Sequence, residues 1–253
     1  MRFIKLLIHK FFKKIGFDIV KYQPAVAGPI AEIPFGSNPF EDIHTFLKNN
    51  AFPVIFDVGG NVGQSVDEFK KIFPDSSIDS FEPGPDTFAK LREHCMEIEK
   101  VKVWNFAIGS CKGILPFQEN TRSVMSSFYS PGENWWGEIK KVTNVEVTTL
   151  DAFAEQQKVN FIDILKSDTQ GFDLEVFKGA ERLINENRIG VILCEIIYSN
   201  IYEGTPSFTN VLSYLLDHNF LLVGFYSQCH QNHLLSWSDA LFINTEYKKK
   251  IMI

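Results

Sequence analysis

Residues 53–63 read Pro53-Val54-Ile55-Phe56-Asp57-Val58-Gly59-Gly60-Asn61-Val62-Gly63. The run Val54-Ile55-Phe56 has the β-branched, apolar character of a buried strand. It stops at Asp57 and a glycine turn. Beyond the turn, Val62, Val66, Phe69 and Ile72 recur at helical spacing, with Asp67, Glu68, Lys70 and Lys71 between them. The stretch therefore predicts strand, glycine turn and helix. Such a unit aims backbone N–H groups and a helix N-terminus at a ligand that comes close to the main chain.

A dinucleotide fingerprint would need G-x-G-x-x-G. Counted from Gly59, the third and sixth positions are Asn61 and Gln64; counted from Gly60, they are Val62 and Ser65. Both registers fail, which argues against a NAD-type oxidoreductase. The pattern present is Asp57-x-Gly59-x-Asn61-x-Gly63, a carboxylate followed by residues that tolerate the left-handed backbone region. That suits a ligand with a cationic or hydroxylated end, such as the aminocarboxypropyl part of S-adenosylmethionine. A purely structural turn is the alternative.

A second strand, Ser77-Ile78-Asp79-Ser80-Phe81, runs into Glu82-Pro83-Gly84-Pro85. Glu82 lies near the spacing at which a second-strand carboxylate meets ribose hydroxyls in nucleotide-binding α/β folds. A helix is expected over about 86–98 and a third strand over 101–106. Asn105 or Ala107, at the end of that strand, would line an adenine pocket or simply pack. A fourth strand, 161–167, ends at Asp168, and a fifth, 190–194, at Glu195. Ligands of open α/β sheets bind outside the carboxyl ends of the strands. Four acidic residues, Asp57, Glu82, Asp168 and Glu195, each close one of the predicted strands. Between the third and fourth strands, residues 110–149 break the α/β alternation and read as an insertion with two strands and a polar, aromatic segment. Its Trp135-Trp136 pair suits either stacking on a sugar ring or burial. The chain closes with a helix at 206–218, strands at 220–226 and 240–243, and a polar turn between them carrying His230 and His233, which are candidate bases or simply solvated.

Composition sets wider bounds. The chain has 253 residues and a net charge of −6, which argues against a general polyanion or nucleic-acid binder. The charge is uneven. Residues 1–21 hold six basic side chains against Asp18 alone, or +5, leaving −11 for the remainder. Residues 2–17 project as a helix with Phe3, Ile4, Leu7, Ile8, Phe11, Phe12 and Ile15 on one arc and Arg2, Lys5, His9 and Lys13 on the other. This suits peripheral contact with an anionic membrane surface through residues 1–17, a fold-back onto the domain, or a dimer contact. Residues 22–49 read as a proline- and glycine-rich linker and lead-in helix, and 50–253 as the α/β domain. Ser37-Asn38-Pro39-Phe40 is expected to cap the helix at 41–49. The four cysteines form no C-x-x-C pair, and no stretch is apolar enough to span a bilayer. A cytoplasmic protein is the expectation.

Taken in order, Phe56-Asp57-Val58-Gly59-Gly60-Asn61-Val62-Gly63-Gln64, Phe81-Glu82-Pro83, Asn105-Phe106-Ala107-Ile108-Gly109, Thr149-Leu150-Asp151, Leu165-Lys166-Ser167-Asp168-Thr169-Gln170-Gly171 and Phe177-Lys178-Gly179-Ala180 resemble the FkbM family of S-adenosylmethionine-dependent methyltransferases over about residues 50–245. The resemblance implies a class I methyltransferase (Rossmann-like) fold: α/β, doubly wound, a mostly parallel seven-stranded sheet with an antiparallel last strand. It also implies O-methylation of a sugar, surface glycan, glycolipid or related metabolite. The cofactor-binding set would be Asp57, Gly59, Gly60, Asn61, Gly63, Glu82, Asn105 and Ala107. There are two departures. Gly60 stands where alanine is usual, and Phe172-Asp173 where a small residue and glutamate are usual.

A sugar hydroxyl is a poor nucleophile, so its methylation benefits from a general base. Asp168 is the first candidate and Glu195 the second. Alternation points Lys166 and Asp168 to the same face, so a structural ion pair is also open. Asp168 with Glu195 would alternatively hold Mg²⁺. A rival of another class is a catalytically silent adaptor docked to a membrane or protein complex through residues 1–17.

Overall fold

The computed structural model describes residues 34–251. The basic amphipathic segment 1–17 and the linker up to residue 33 lie outside the described residues.

Helix α1 (Pro39–Leu47) has the expected Asn38 cap but begins and ends two residues before the predicted 41–49. Asn38 is extended, its Oδ1 accepts the Phe40 N–H at 2.9 Å, and Pro39 occupies the first helical turn. Strand β1 (Val54–Val58) and helix α2 (Gln64–Ile72) enclose the glycine loop. Then come β2 (Ser77–Phe81), α3 (Pro85–Cys95) and β3 (Val101–Trp104). β3 is shorter than predicted, because the chain leaves the sheet and continues as β4 (Ala107–Ile108) in a second one.

The insertion supplies β5 (Gly113–Asn120), β6 (Ser130–Pro131) and β7 (Ile139–Thr148), with a 3₁₀ turn at Ser123–Met125. β4, β7 and β5 form a three-stranded sheet. Helix α4 (Leu150–Gln157) and strand β8 (Ile162–Ser167) follow. Leu174, Val176, Phe177, Ala180, Leu183 and Ile184 read as the inward face of one helix, but the stretch forms two, α5 (Asp173–Lys178) and α6 (Glu181–Asn185). The break has a cause: the Gly179 carbonyl accepts the Asp151 N–H, and the Asp151 carboxylate caps α6 by accepting the Arg182 and Leu183 N–H groups. The rest is β9 (Ile189–Ile197), β10 (Tyr202–Glu203), α7 (Phe208–Asp217), β11 (Phe220–Gln231), β12 (Leu234–Asn244) and α8 (Thr245–Ile251).

The main sheet has the order β11-β12-β9-β8-β1-β2-β3. β8, β1, β2 and β3 run parallel with β9, and β12 is antiparallel to both of its neighbours. This is the seven-stranded order with an antiparallel last strand expected of a class I methyltransferase. Strand order reverses at β1, whose neighbours are β2 on one side and β8 on the other. A crevice opens at such a switch point, at the carboxyl ends of the strands.

Each face of the sheet carries its own core. Phe56 and Val58 pack with Phe81, Phe153 and Phe177 under α4–α7; Ile55 packs with Ile43, Val66, Phe69 and Leu91 under α1–α3. Alternation places Asp57 on the Ile55 side, beneath the glycine loop. β9 runs past its predicted end, so Glu195 lies within the strand rather than closing it.

Candidate active site

Gly59, Asn61 and Gly63 have φ of +82°, +48° and +104°, so the three positions read as left-handed-tolerant all adopt that region. The loop is fastened to β2: the Gly59 and Gly60 N–H groups both donate to the Phe81 carbonyl. A Cβ on Gly59 would sit 2.0 Å from the Asp168 carbonyl oxygen, so the loop and the end of β8 touch backbone to backbone. A Cβ on Gly60 would meet Ser80 Oγ at 2.0 Å. Ser80 thus fills the space that the usual alanine methyl would take. Helix α2 opens at Gly63 with no side-chain cap, which leaves its first N–H groups for a ligand.

Asp57 is fully buried. Its Oδ1 accepts Ser65 Oγ at 2.9 Å and lies 3.3 Å from Lys166 Nζ; its Oδ2 accepts Ser80 Oγ at 2.8 Å. It lines neither cavity of the crevice. The expectation that Asp57 grips a ligand directly is therefore corrected. The residue falls one position short of the strand end, points inward, and holds the loop from below.

One cavity lies on the β2 side of the glycine loop. Gly59, Asn61, Glu82, Pro83, Ala107 and Ile108 line it, with Phe117 and Phe128 from the insertion and Asp168 and Thr169 from beyond β8. Glu82 Oε2 accepts the Asn61 N–H at 3.1 Å and Oε1 the Gly84 N–H at 2.8 Å. Burial, with the nearby charges of Asp57 and Glu119, pushes Glu82 up to about 8 against those two hydrogen bonds. Asn61 Oδ1 and Thr169 Oγ1 are buried there without a hydrogen-bond partner. Such groups cost stability unless a ligand or water pairs them. The aromatic wall is continuous, with Phe128 centred 5.0 Å from Phe117 and 4.5 Å from Phe172.

A second cavity shares Gly59, Asn61, Val124 and Asp168 with the first and adds Phe40, Glu68, Lys166, Glu195 and Asp239. On this face of the sheet, register sets Asp57 beside Lys166 and Glu195 beside Asp239. Burial works against the Lys166 ammonium, but Asp57 and Asp168 more than offset it and hold its pKa above the ordinary lysine value. Asp168 Oδ2 lies 3.7 Å from Lys166 Nζ. Gln170 joins the two candidate bases: its Nε2 donates to Asp168 Oδ1 and to Glu195 Oε2, each at 2.9 Å. Its Oε1 accepts the Tyr202 hydroxyl at 2.8 Å. Burial first, then the charges of Asp168, Asp173 and Asp239, raise Glu195 well above the ordinary carboxylate range.

Other expected residues fall elsewhere. Asn105 is exposed and donates to the Glu82 and Pro83 carbonyls, so it buttresses the turn after β2 and does not line the cavity, whereas Ala107 does. His230 and His233 are exposed on the β11–β12 hairpin and line neither cavity. Trp136 stacks on Trp237, and Trp135 packs with Met125, Ile201 and Tyr202. Asp173 is buried and accepts from Ser167 Oγ and the Thr169 N–H, pinning the loop that carries Asp168. Burial and Asp168 raise its pKa to about 6. Residue reasoning assigned no role to Gln170, Tyr202 or Asp239. Gln170 lies within the Leu165–Gly171 motif, beside its partner Asp168, but its other two side-chain partners, Glu195 and Tyr202, come from later strands.

Among the described residues no group of three or more His, Cys, Asp or Glu side chains is arranged to hold a metal ion. Asp168 and Glu195 converge on an amide NH₂, and Asp168 also faces an ammonium. That donor set fits protonated nitrogen better than Mg²⁺. No helix among the described residues is long and apolar enough to cross a membrane.

Comparison with known proteins accords with this geometry. The methyltransferase FkbM domain matches residues 57–222. The chain belongs to the FkbM methyltransferase family. It is 25% identical over 174 residues to the 2-O-methyltransferase NoeI of Sinorhizobium fredii, covering 64% of this chain and 71% of that one. Among solved structures, it resembles a precorrin-6y C5,15-methyltransferase from Geobacter metallireducens, at 13% identity and a TM-score of 0.45 over 81% of this chain and 87% of the other. It also resembles an rRNA methylase from Streptococcus thermophilus, at 14% identity and a TM-score of 0.46 over 82% and 97%. The fold of this FkbM methyltransferase rests on its strand order rather than on those two likenesses.

Proposed function

We propose that the protein transfers the methyl group of S-adenosylmethionine to a hydroxyl of a sugar, glycan or related small molecule. The observation that carries this reading is the pair of adjoining cavities that meet at Asp168, one with ribose- and base-binding chemistry, the other lined with carboxylates. The similarity to an enzyme named as a 2-O-methyltransferase supports a hydroxyl acceptor.

In the first cavity Glu82 accepts ribose hydroxyls, each of its oxygens having capacity beyond the one backbone N–H it already takes. Ala107, Ile108, Phe117 and Phe128 enclose the base. The uncapped start of α2 and the glycine loop receive the donor's carboxylate. Asn61 Oδ1 and Thr169 Oγ1 find partners on the same ligand. When bound, the donor supplies an electrophilic methyl on a sulfonium. The chain's part is to hold the acceptor hydroxyl in line with it and to take the hydroxyl proton. Asp168, at the junction of the cavities, takes that proton, and Glu195 is the second carboxylate within reach of the same amide.

Calorimetric titration with S-adenosylhomocysteine tests the donor site, and transfer of labelled methyl to a panel of glycosides tests the chemistry. Binding that weakens at least tenfold, about 1.4 kcal/mol, in Glu82→Ala is the expected result. A folded protein that ignores S-adenosylhomocysteine at millimolar concentration would end the reading.

A further inference from the structure

We propose that Gln170 is the positioning residue of the proton-accepting pair, with Tyr202 setting the sense of its amide so that one NH₂ group holds Asp168 and Glu195 apart. This inference rests on the function proposed above.

The geometry is over-determined. Gln170 sits at φ +54°, a region that costs a non-glycine residue and persists where surroundings demand it. Its own carbonyl accepts Ser127 Oγ at 2.8 Å, which ties it to the insertion. Its side-chain amide has two possible senses. With Oε1 toward Tyr202, both N–H bonds go to carboxylates at 2.9 Å. Reversed, the amide oxygen would face Asp168 Oδ1 and Glu195 Oε2, the Asp168 carboxylate would lose its donor, and the NH₂ would meet the Tyr202 hydroxyl. The Tyr202 side chain is buried among Met125, Ile201 and the Trp135 and Trp136 rings, so its hydroxyl cannot swing away.

The interposed amide matters because the two acids stand in a crowded field. Asp173 faces them from α5, Asp239 from β12 and the Tyr202 hydroxyl from β10, with Lys166 beside Asp168 on β8, Asp57 behind it on β1 and the Cys194 thiol next to Glu195 on β9. The Asp168 charge already raises Glu195, and without a donor between them the two carboxyl groups would share a proton more tightly, which would take Asp168 out of service as a base. A shared NH₂ gives each carboxylate its own bond. It also leaves Asp168 Oδ2 directed toward Lys166 and the cavity junction.

The test follows the side-chain carboxyl resonances of Asp168 and Glu195 by NMR through pH, in the full chain saturated with S-adenosylhomocysteine. Asp168→Asn and Glu195→Gln supply the assignments. In Gln170→Met, which keeps the volume and removes the amide, the Asp168 titration should move up by about one pH unit and its coupling to Glu195 should tighten. Tyr202→Phe should move it in the same direction by less. A merely structural role would lower the melting temperature and leave both titrations in place, and that result overturns the proposal. If Gln170→Met does not fold, Tyr202→Phe decides by the same readout, an unmoved titration again being fatal. Calorimetry on the wild-type sample separates the two readings. Loss of S-adenosylhomocysteine binding defeats the function proposed, whereas retained binding with unmoved titrations defeats only the assignment of Gln170.

Discussion

Neighbouring strands β1 and β8 each carry an aspartate near the carboxyl end, and the two have opposite surroundings. Asp57 has no exposed surface and spends its oxygens on two hydroxyls and an ammonium. The Asp168 side chain is 41% exposed, opens onto both cavities and is held by one amide and a lysine at 3.7 Å. The difference comes from one position along each strand. Asp57 is still inside β1, where the pleat directs it beneath the loop. Asp168 follows the last residue of β8, where the chain turns out over the sheet. A buried, fully paired carboxylate stabilises a loop. A carboxylate that is half exposed at a cavity junction can take a proton.

Four substitutions, two of them paired with a second change, would break or sharpen that contrast. Asp168→Asn should lower methyl transfer by about 10²- to 10⁴-fold while S-adenosylhomocysteine affinity holds, as read by turnover and calorimetry on one preparation. Full turnover would mean that Asp168 is not the base. Asp57→Ala should act on the fold, costing about 3–5 kcal/mol in urea denaturation because it strands the buried Lys166 ammonium. Adding Lys166→Met should restore much of the loss; a mere sum of the two single effects would show that the ion pair is not the reason.

Glu82 contributes a pH signature. In the donor-free folded protein it keeps its proton to about pH 8, whereas unfolded it releases it near 4.5. The folded state therefore holds more protons across that window, and stability falls as pH rises from about 4.5 to about 8, by up to roughly 1.4 kcal/mol per unit. Glu82→Gln should flatten that part of the stability profile, and an unchanged slope would remove Glu82 as its source. The smallest effect is expected at the loop. Gly60→Ala should destabilise by about 1–3 kcal/mol through its collision with Ser80 Oγ, and Gly60→Ala with Ser80→Ala should cost less than the two changes added together.

Much of this arrangement is legible in the chain because local chemistry dictates it. The glycine loop is one case: Gly59, Asn61 and Gly63 tolerate φ above zero, and each adopts it. The Asn38 cap of α1 is another. Local patterning fails where a distant partner decides the outcome. Asp151, from the first turn of α4, splits a continuous helical pattern into α5 and α6. Asn105 looks like a ligand at a strand end, yet it is drawn to the carbonyls of the turn after β2.

The candidate site divides in the same way. Period-two alternation assigns Lys166 and Asp168 to one face, but Glu195 and Asp239 come side by side only through the pairing of β9 with β12. Alternation cannot say that β8, β9 and β12 are neighbours or in what register they pair.

Sequence by itself determined the strand–loop–helix unit, the acidic residues near the strand ends and the family, because propensity, backbone tolerance and motif order are properties of a contiguous chain. Only the tertiary structure decided that Asp57 is sealed, that Asp168 stands at the junction of two cavities, and that Gln170 joins it to Glu195 under the control of Tyr202. The decisive contacts, Gln170 with Glu195 and with Tyr202, join residues far apart in the chain, and folding alone brings them within 3 Å.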